Sequence, residues 1–338
     1  MALEFKRIPY RESNHGSFDE EWAPHKKSSG WWYITGYFSD KNNPDTLYSF
    51  QYTVAQGRIY GITAYILHMG LTDFQKKSHL FKQKVQLRRK NKIGATNDKV
   101  IFSPYTTLSK AQNQLKLDIS TNDFDLDLVL QENKAAVWHC DNGILAMGLP
   151  NDPKQRTVYY SYTNLPTEGT LSIHDKSGQS QKIEVIGKSW FDRQWGPFRL
   201  VDAKSHWEWF SFRFFDDEEI MLFSFPQHPY IDGTYIDKEG KTTRLQNYDI
   251  KPKEFVKRGK NINTFSFGWN VSIPGIKEEK YEVIPLSEGQ FNIAYFELLA
   301  EIINVDKKRV GYCFVELISG ARNKLRLIDQ IGLLMKKE

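Results

Sequence analysis

Residues 264–273 read TFSFGWNVSI, which puts Phe265, Phe267, Trp269, Val271 and Ile273 on one side of an extended chain and Ser266, Gly268, Asn270 and Ser272 on the other. Successive side chains of a strand point to opposite faces, so apolar residues at a spacing of two specify a strand with one buried side. The signature recurs along the chain. LKLDI gathers Leu115, Leu117 and Ile119; FDLDLVL gathers Phe124, Leu126, Leu128 and Leu130 and leaves Asp125 and Asp127 outside. YCFVELI (312–318) alternates on both faces and carries Glu316. Polar breaks of hairpin type separate such runs: DKNNPD (40–45), HDKSGQS (174–180), DDEE (216–219) and DKEGK (237–241). Helical periodicity is almost absent, and only the tail NKLRLIDQIGLLMKK (323–337) shows it weakly. Many short strands at even spacing specify an all-β sandwich or barrel.

A length of 338 residues favours two domains. An internal echo supports the same division. GWWYITGYFSDKNNPDTLYSFQYT (30–53) opens with a tryptophan pair, runs as a strand, turns and returns as an aromatic strand. HWEWFSFRFFDDEEIMLFSF (206–225) repeats that outline. We expect two β-domains of similar plan, 1–200 and 201–338, joined near 197–205.

Hydrophobic residues make up 40% of the chain and mean hydropathy is -0.55, the profile of a water-soluble globular protein. No apolar run approaches the roughly 18 residues that span a membrane. The start, MALEFKRIPYRESN, is charged and has no apolar signal core, which predicts a cytoplasmic location. With 46 basic and 41 acidic residues the charge is too balanced to imply a nucleic-acid partner. The densest basic stretch, KQKVQLRRKNK (82–92), reads as a solvated strand end and loop. Two distant cysteines, Cys140 and Cys313, exclude a disulfide framework and fit a reducing compartment. Aromatics form 14% of the chain, which suits strands and an aromatic-lined interior.

Familiar catalytic patterns are missing: no GxGxxG, GxxxxGK[ST], HExxH or GxSxG stands in the sequence, and the eight histidines show no i, i+2 or i, i+4 pairing suited to a metal. Neither a metal nor a cofactor is therefore expected. What remains is polar residues embedded in aromatic strands. GKSWFDRQWGPF (187–198) sets Asp192 among Trp190, Phe191, Trp195 and Phe198. Two readings stand: a solvated or salt-bridged acid at a strand end, paired with Arg193, Arg199 or Arg213, or an acid in an apolar pocket whose proton burial retains. TVYYSYTNL (157–165) sends Val158, Tyr160 and Tyr162 one way and Tyr159 and Ser161 the other, so Tyr160 and Tyr162 either fill a core edge or line a cavity. SHWEWFSF (205–212) puts Trp207 and Trp209 on one face. Glu316 shares a face with Tyr312 and Phe314, and His68 follows an apolar strand, where a core histidine and a site residue are both open readings.

These motifs resemble the hydroxyneurosporene synthase (carotenoid 1,2-hydratase) family, whose superfamily also holds agrobacterial attachment-related proteins, kievitone hydratase and fungal Diels–Alderases. The matching stretches, in order, are GWWYITGYF (30–38), LHMGLTD (67–73), KAAVWHCDNGILAMG (134–148), VYYSYTNLPTEGTL (158–171), GKSWFDRQWG (187–196), WEWFSFRF (207–214) and VGYCFVEL (310–317). The resemblance implies two tandem lipocalin-like β-barrel or sandwich domains. It places Asp192 where the hydratases carry a proton donor, with Trp190 and Tyr160 as the catalytic neighbours. Tyr162, Trp195, Trp207, Trp209, Glu316 and His68 become substrate-binding positions. There are two departures: Gly30 stands where the family usually has Glu, and Arg193-Gln194 where hydratases often carry His.

The reading is then a cofactor-free hydratase, a lyase that adds water to an alkene of an apolar, isoprenoid-like or polyketide-like molecule. The alternatives are a cyclase or pericyclase that folds a polyene, or a non-catalytic carrier. The fate of Asp192 separates them. The sequence does not fix the oligomeric state.

Overall fold

The computed structural model describes residues 8–9, 15–26, 28–59, 62–175, 180–198, 206–259 and 263–323. The tail pattern expected beyond Asn323, and Arg199, lie outside the described residues. The protein is all-β in two barrel-like domains. Its compact units are Met1–Ala136 with Tyr160–Gly196, and Val137–Tyr159 with Pro197–Glu338. The segment 137–159 thus packs with the second unit, and the division falls inside the strand Thr157–His174.

In the first unit the strands lie in the order Ser78–Leu87, Ile62–Asp73, Asn43–Ile59, Ser29–Asp40, Ser180–Gly196, Thr157–His174, Phe124–Gln131, Gln114–Ser120, Thr106–Ala111, Lys99–Phe102, Ile93–Ala95. The two end strands of this path are joined in sequence by 88–92 alone. Their approach curls the sheet: Lys82 Nζ lies 2.9 Å from Asp123 Oδ2, and Lys84 Nζ stands 5.6 Å from the Tyr105 ring centre. Alternation then fills the interior. Leu115, Leu117 and Ile119 oppose Leu130, Leu128 and Leu126 in register, and all six are buried. Across the barrel the Thr106 hydroxyl meets the buried phenol of Tyr52. Each such buried aliphatic side chain contributes about 1.5–3 kcal/mol.

In the second unit the order is Thr242–Leu245, Ile231–Ile236, Glu219–Ser224, Glu208–Phe214, Arg309–Leu317, Phe296–Ile303, Lys280–Pro285, Asn263–Ser272, Asp249–Arg258. Phe265, Phe267, Trp269, Val271 and Ile273 all enter its core, as their spacing requires. Trp269 packs edge-on to Phe210 at 5.3 Å.

The two units share one plan. In each, the first strand pairs with the last, and the first hairpin of the unit carries the echoed sequence: Ser29–Asp40 with Asn43–Ile59, and Glu208–Phe214 with Glu219–Ser224. The last strands are Ser180–Gly196 and Arg309–Leu317.

Candidate functional site

The closing strand of the first unit carries Asp192 opposite Tyr33. Its alternation divides the aromatic stretch. Phe191, Arg193 and Trp195 face the barrel interior, opposite Ile34, Trp32 and Gly30, while Trp190, Asp192 and Gln194 face outward. Gly30 is required there, because a Cβ would stand 2.5 Å from the Gln194 carbonyl oxygen and from Trp195 Cβ.

The inner side is sealed by a short helix, Phe18–Trp22. Ser17 and Glu20 form a capping box at its start, and Asp19, Glu20 and Glu21 lie in its first turn, where carboxylates suit the helix dipole. Trp22 stacks on Phe191 at 5.0 Å, and Tyr160 donates to the Phe18 carbonyl at 3.2 Å. Tyr162 lies 5.9 Å from Phe191 and 6.2 Å from Tyr160, ring centre to ring centre. Trp195 stacks on His25 at 3.3 Å, and His25 lies 3.2 Å from Glu21 Oε2. Burial lowers the His25 pKa to about 4, against the opposing hydrogen bond to Glu21. Tyr160, Tyr162 and Trp195 are therefore on the opposite side of the sheet from Asp192, grouped with the helix rather than with the acid.

Arg193 does not pair with its neighbour. Its guanidinium donates to the carbonyls of Trp22 (3.2 Å), Ala23 (2.8 Å), Trp31 (3.2 Å) and Gln194 (3.0 Å), and lies 4.1 Å over the Trp32 ring. Burial lowers its pKa to about 10, which leaves it charged at neutral pH. In the second unit Arg213 donates to Ser211 Oγ at 3.1 Å.

On the outer side, Asp192 is only 4% exposed. Ser161 Oγ donates to its Oδ1, and so does Trp190 Nε1 at 2.5 Å. An indole N–H can only donate, so Oδ1 accepts from Trp190 whichever protonation state the carboxyl holds. Registers extend the site sideways as a polar row: Asp192 opposite Tyr33, Tyr33 opposite Thr53, Thr53 opposite His68, His68 opposite Gln83. Three strand spacings separate Asp192 from His68, about 14 Å. His68 Nε2 lies 2.8 Å from Gln83 Oε1, which accepts, so this nitrogen carries the ring hydrogen. Burial lowers its pKa to about 4 against that bond, and the ring is neutral at pH 7. The next row runs Trp190, Thr35, Gln51, Gly70, Phe81. Gln51 Nε2 donates to Thr53 at 3.2 Å, and Phe81 meets the His68 ring edge-on at 5.4 Å.

The second unit gathers the remaining expected residues. Trp209 stands directly opposite Glu316, and Trp207 Nε1 donates to Glu316 Oε2 at 2.9 Å. Trp209 Nε1 donates to the Tyr159 hydroxyl at 3.2 Å, and Tyr159 lies 4.4 Å from the His139 ring. Burial lowers the His139 pKa to about 3. Glu297, opposite half-buried Glu316, is a buried carboxyl on the same face.

Sequence reading overlooked Ser161 as a partner of the acid, Tyr33, Thr53 and Gln83 as members of its row, and Glu297 beside Glu316. Only Ser161 left a signal, since its parity in 157–165 opposes it to Tyr160. The others depend on strand register, which one sequence does not display. Among the described residues no three His, Cys, Asp or Glu side chains converge as a metal-ligand set, and no helix is long and apolar enough to cross a membrane.

Comparison with known proteins gives a family and a fold. The model of the AttH-like family matches residues 9–320. A crystal structure of a protein assigned as AttH from Nitrosomonas europaea is similar at a TM-score of 0.78 and 19% identity, covering 92% of this chain and 99% of that one. Kievitone hydratase from Nectria haematococca is similar at a TM-score of 0.66 and 17% identity, covering 86% of this chain and 89% of that one. No curated protein sequence matches.

Proposed function

From the premise that this chain belongs to the AttH-like family, we propose that it is a cofactor-free hydratase acting on an alkene of an apolar, isoprenoid-like small molecule, with Asp192 as the proton donor. The observation that carries the reading is the setting of Asp192: a buried carboxyl on the outer face of a closing strand, held at Oδ1 by Ser161 and Trp190 beside the Trp190 and Tyr33 rings. The likeness to kievitone hydratase is in keeping with it.

In this scheme the Asp192 carboxyl proton passes to one alkene carbon, the π electrons form the new C–H bond, and the other carbon becomes a tertiary cation. The ring faces of Trp190 and Tyr33 stabilise that cation, an attraction worth about 2 kcal/mol in a desolvated site. Water adds to it, and the oxonium returns its proton to the Asp192 carboxylate, which closes the cycle. Burial favours the neutral acid, whereas donors aimed at a carboxyl favour its ionised form; the balance of the two sets the working pH. Thr53, His68 and Gln83 extend the same face as polar positions that orient substrate. Trp207, Trp209 and Glu316 are a second substrate-binding group, and Tyr160, Tyr162 and Trp195 support the Asp192 strand from its other side.

The two donors on Oδ1 also favour a second reading, a cyclase or carrier in which Asp192 stays ionised and no proton is given. Native mass spectrometry of the protein with prenylated and polyene compounds separates the two. A bound compound that gains the mass of one water with wild type and not with Asp192→Asn is expected. Binding by both proteins without mass gain overturns the hydratase.

A further inference from the structure

The densest basic stretch of the chain belongs to neither cluster. The connector 88–92 reads RRKNK, and Arg88, Arg89, Lys90 and Lys92 are all exposed. Among the described residues, Arg89, Lys90 and Lys92 make no ion pair, in contrast to Lys82, which meets Asp123 at 2.9 Å. Beside them two large apolar side chains stand in solvent: Leu87 is 53% and Ile62 57% exposed. Leu87 lies opposite Ala64, so Ile62 is its diagonal neighbour on one face of the sheet.

That face is the outer one, which also carries His68. Along the strand Ile62–Asp73 the residues sharing it are Ile62, Ala64, Ile66 and His68, and Val85 stands opposite Ile66. Exposure falls from the Ile62–Leu87 rim through half-buried Val85 to buried Ile66 and Ala64. An apolar lane thus leads from a cationic rim toward the polar row of the site.

We propose that this rim, 88–92 with Ile62 and Leu87, is a docking surface for an anionic lipid bilayer. Cations over exposed apolar side chains match a surface whose charge lies outside and whose hydrocarbon lies beneath. Each cation near such a surface raises the partition constant about fivefold, and the apolar pair supplies the second signal that lasting attachment needs. A nucleic acid would use the cations and leave Ile62 and Leu87 without purpose. That docking serves to load an apolar substrate rests on the function proposed above; the docking itself does not.

The test is sedimentation of the full chain with vesicles of phosphatidylcholine alone and of phosphatidylcholine mixed with phosphatidylglycerol, at low and high salt. Wild type is expected to sediment with the mixed vesicles, weakly with the neutral ones, and less in high salt. Lys90→Glu with Lys92→Glu is expected to lower partitioning more than about tenfold. Ile62→Ser with Leu87→Ser removes the fraction that survives high salt. All four positions are exposed, and unchanged thermal midpoints verify that the variants fold. Asp192→Asn is expected to sediment as wild type, so loss of docking and loss of chemistry are read separately. No sedimentation, equal sedimentation with neutral vesicles, or a charge-reversed variant that behaves as wild type overturns the proposal. So does a gel shift of RNA or DNA by this loop without vesicle binding.

Discussion

Asp192 and Arg193 are neighbours in sequence that face opposite sides of one strand: the carboxyl receives Ser161 and Trp190 outside, and the guanidinium holds four backbone carbonyls inside. The pairing that adjacency suggests is replaced by two separate tasks. Arg193 ties the capping helix to the barrel, and Asp192 is left to its own partners.

Arg193→Ala should therefore destabilise the protein by about 3–5 kcal/mol, because buried carbonyls of Trp22, Ala23 and Trp31 lose their donors together. Arg193→Lys should recover little, since one ammonium cannot reproduce the planar fork. Urea unfolding measures both; a loss below about 1 kcal/mol for Arg193→Ala would refute the tie.

Asp192→Asn should leave fold and ligand binding in place and reduce hydration more than about a hundredfold. Ser161→Ala should reduce it less, since Trp190 still donates to Oδ1 at 2.5 Å. Product mass and a melting curve check the pair of expectations. Full turnover by Asp192→Asn would end the acid role.

Stability should fall on acidification from about pH 6.5 to 4. His25 and His68 have pKa values lowered to about 4 and His139 to about 3, each chiefly by burial, so the unfolded chain binds protons in this window that the folded chain refuses. Stability from these groups is complete above the unfolded value and is lost as pH falls toward the folded ones. Urea titrations at several pH values read the slope, and His139→Gln should flatten it. Unchanged stability across the window would contradict neutral burial of all three.

Glu208 and Arg322 form a partly buried pair, Nε to Oε1 2.6 Å, with Ser266 Oγ donating to the same oxygen at 2.7 Å. Glu208→Ala should cost about 3 kcal/mol by leaving a cation near the core, and adding Arg322→Ala should cost little more. Additive losses in the double-mutant cycle would show that the two side chains act independently.

The fold was legible because it is written in short-range parity. TFSFGWNVSI, LKLDI and FDLDLVL each bury the face that their spacing assigns, and the echo of 30–53 in 206–225 falls on equivalent first hairpins. Parity also sorted Ser161 from Tyr160. The candidate site was legible only in pieces. Grouping Tyr160 and Tyr162 with Asp192 ignored that strand neighbours of opposite parity are separated by the sheet itself. The row through Tyr33, Thr53, His68 and Gln83 rests on registers spanning as many as 159 positions, from Tyr33 to Asp192, and no local pattern encodes them. The expectation at Trp207, Trp209 and Glu316 came from motif resemblance, and the Trp209–Glu316 register groups them for a reason that the separate motifs do not contain.

The pairing of first strand with last has a kinetic consequence. As the chain leaves the ribosome, Ser29–Asp40 presents an unpaired backbone edge until Ser180–Gly196 is made. That edge carries Trp31, Trp32 and Tyr33, an aromatic template for wrong pairing. The strand that caps it is the one that bears Asp192, so closure of the barrel and arrival of the acid are a single late event, and contacts this distant in sequence make it slow. Any truncation before residue 180 leaves that margin unpaired and removes Asp192 with the strand that would have covered it.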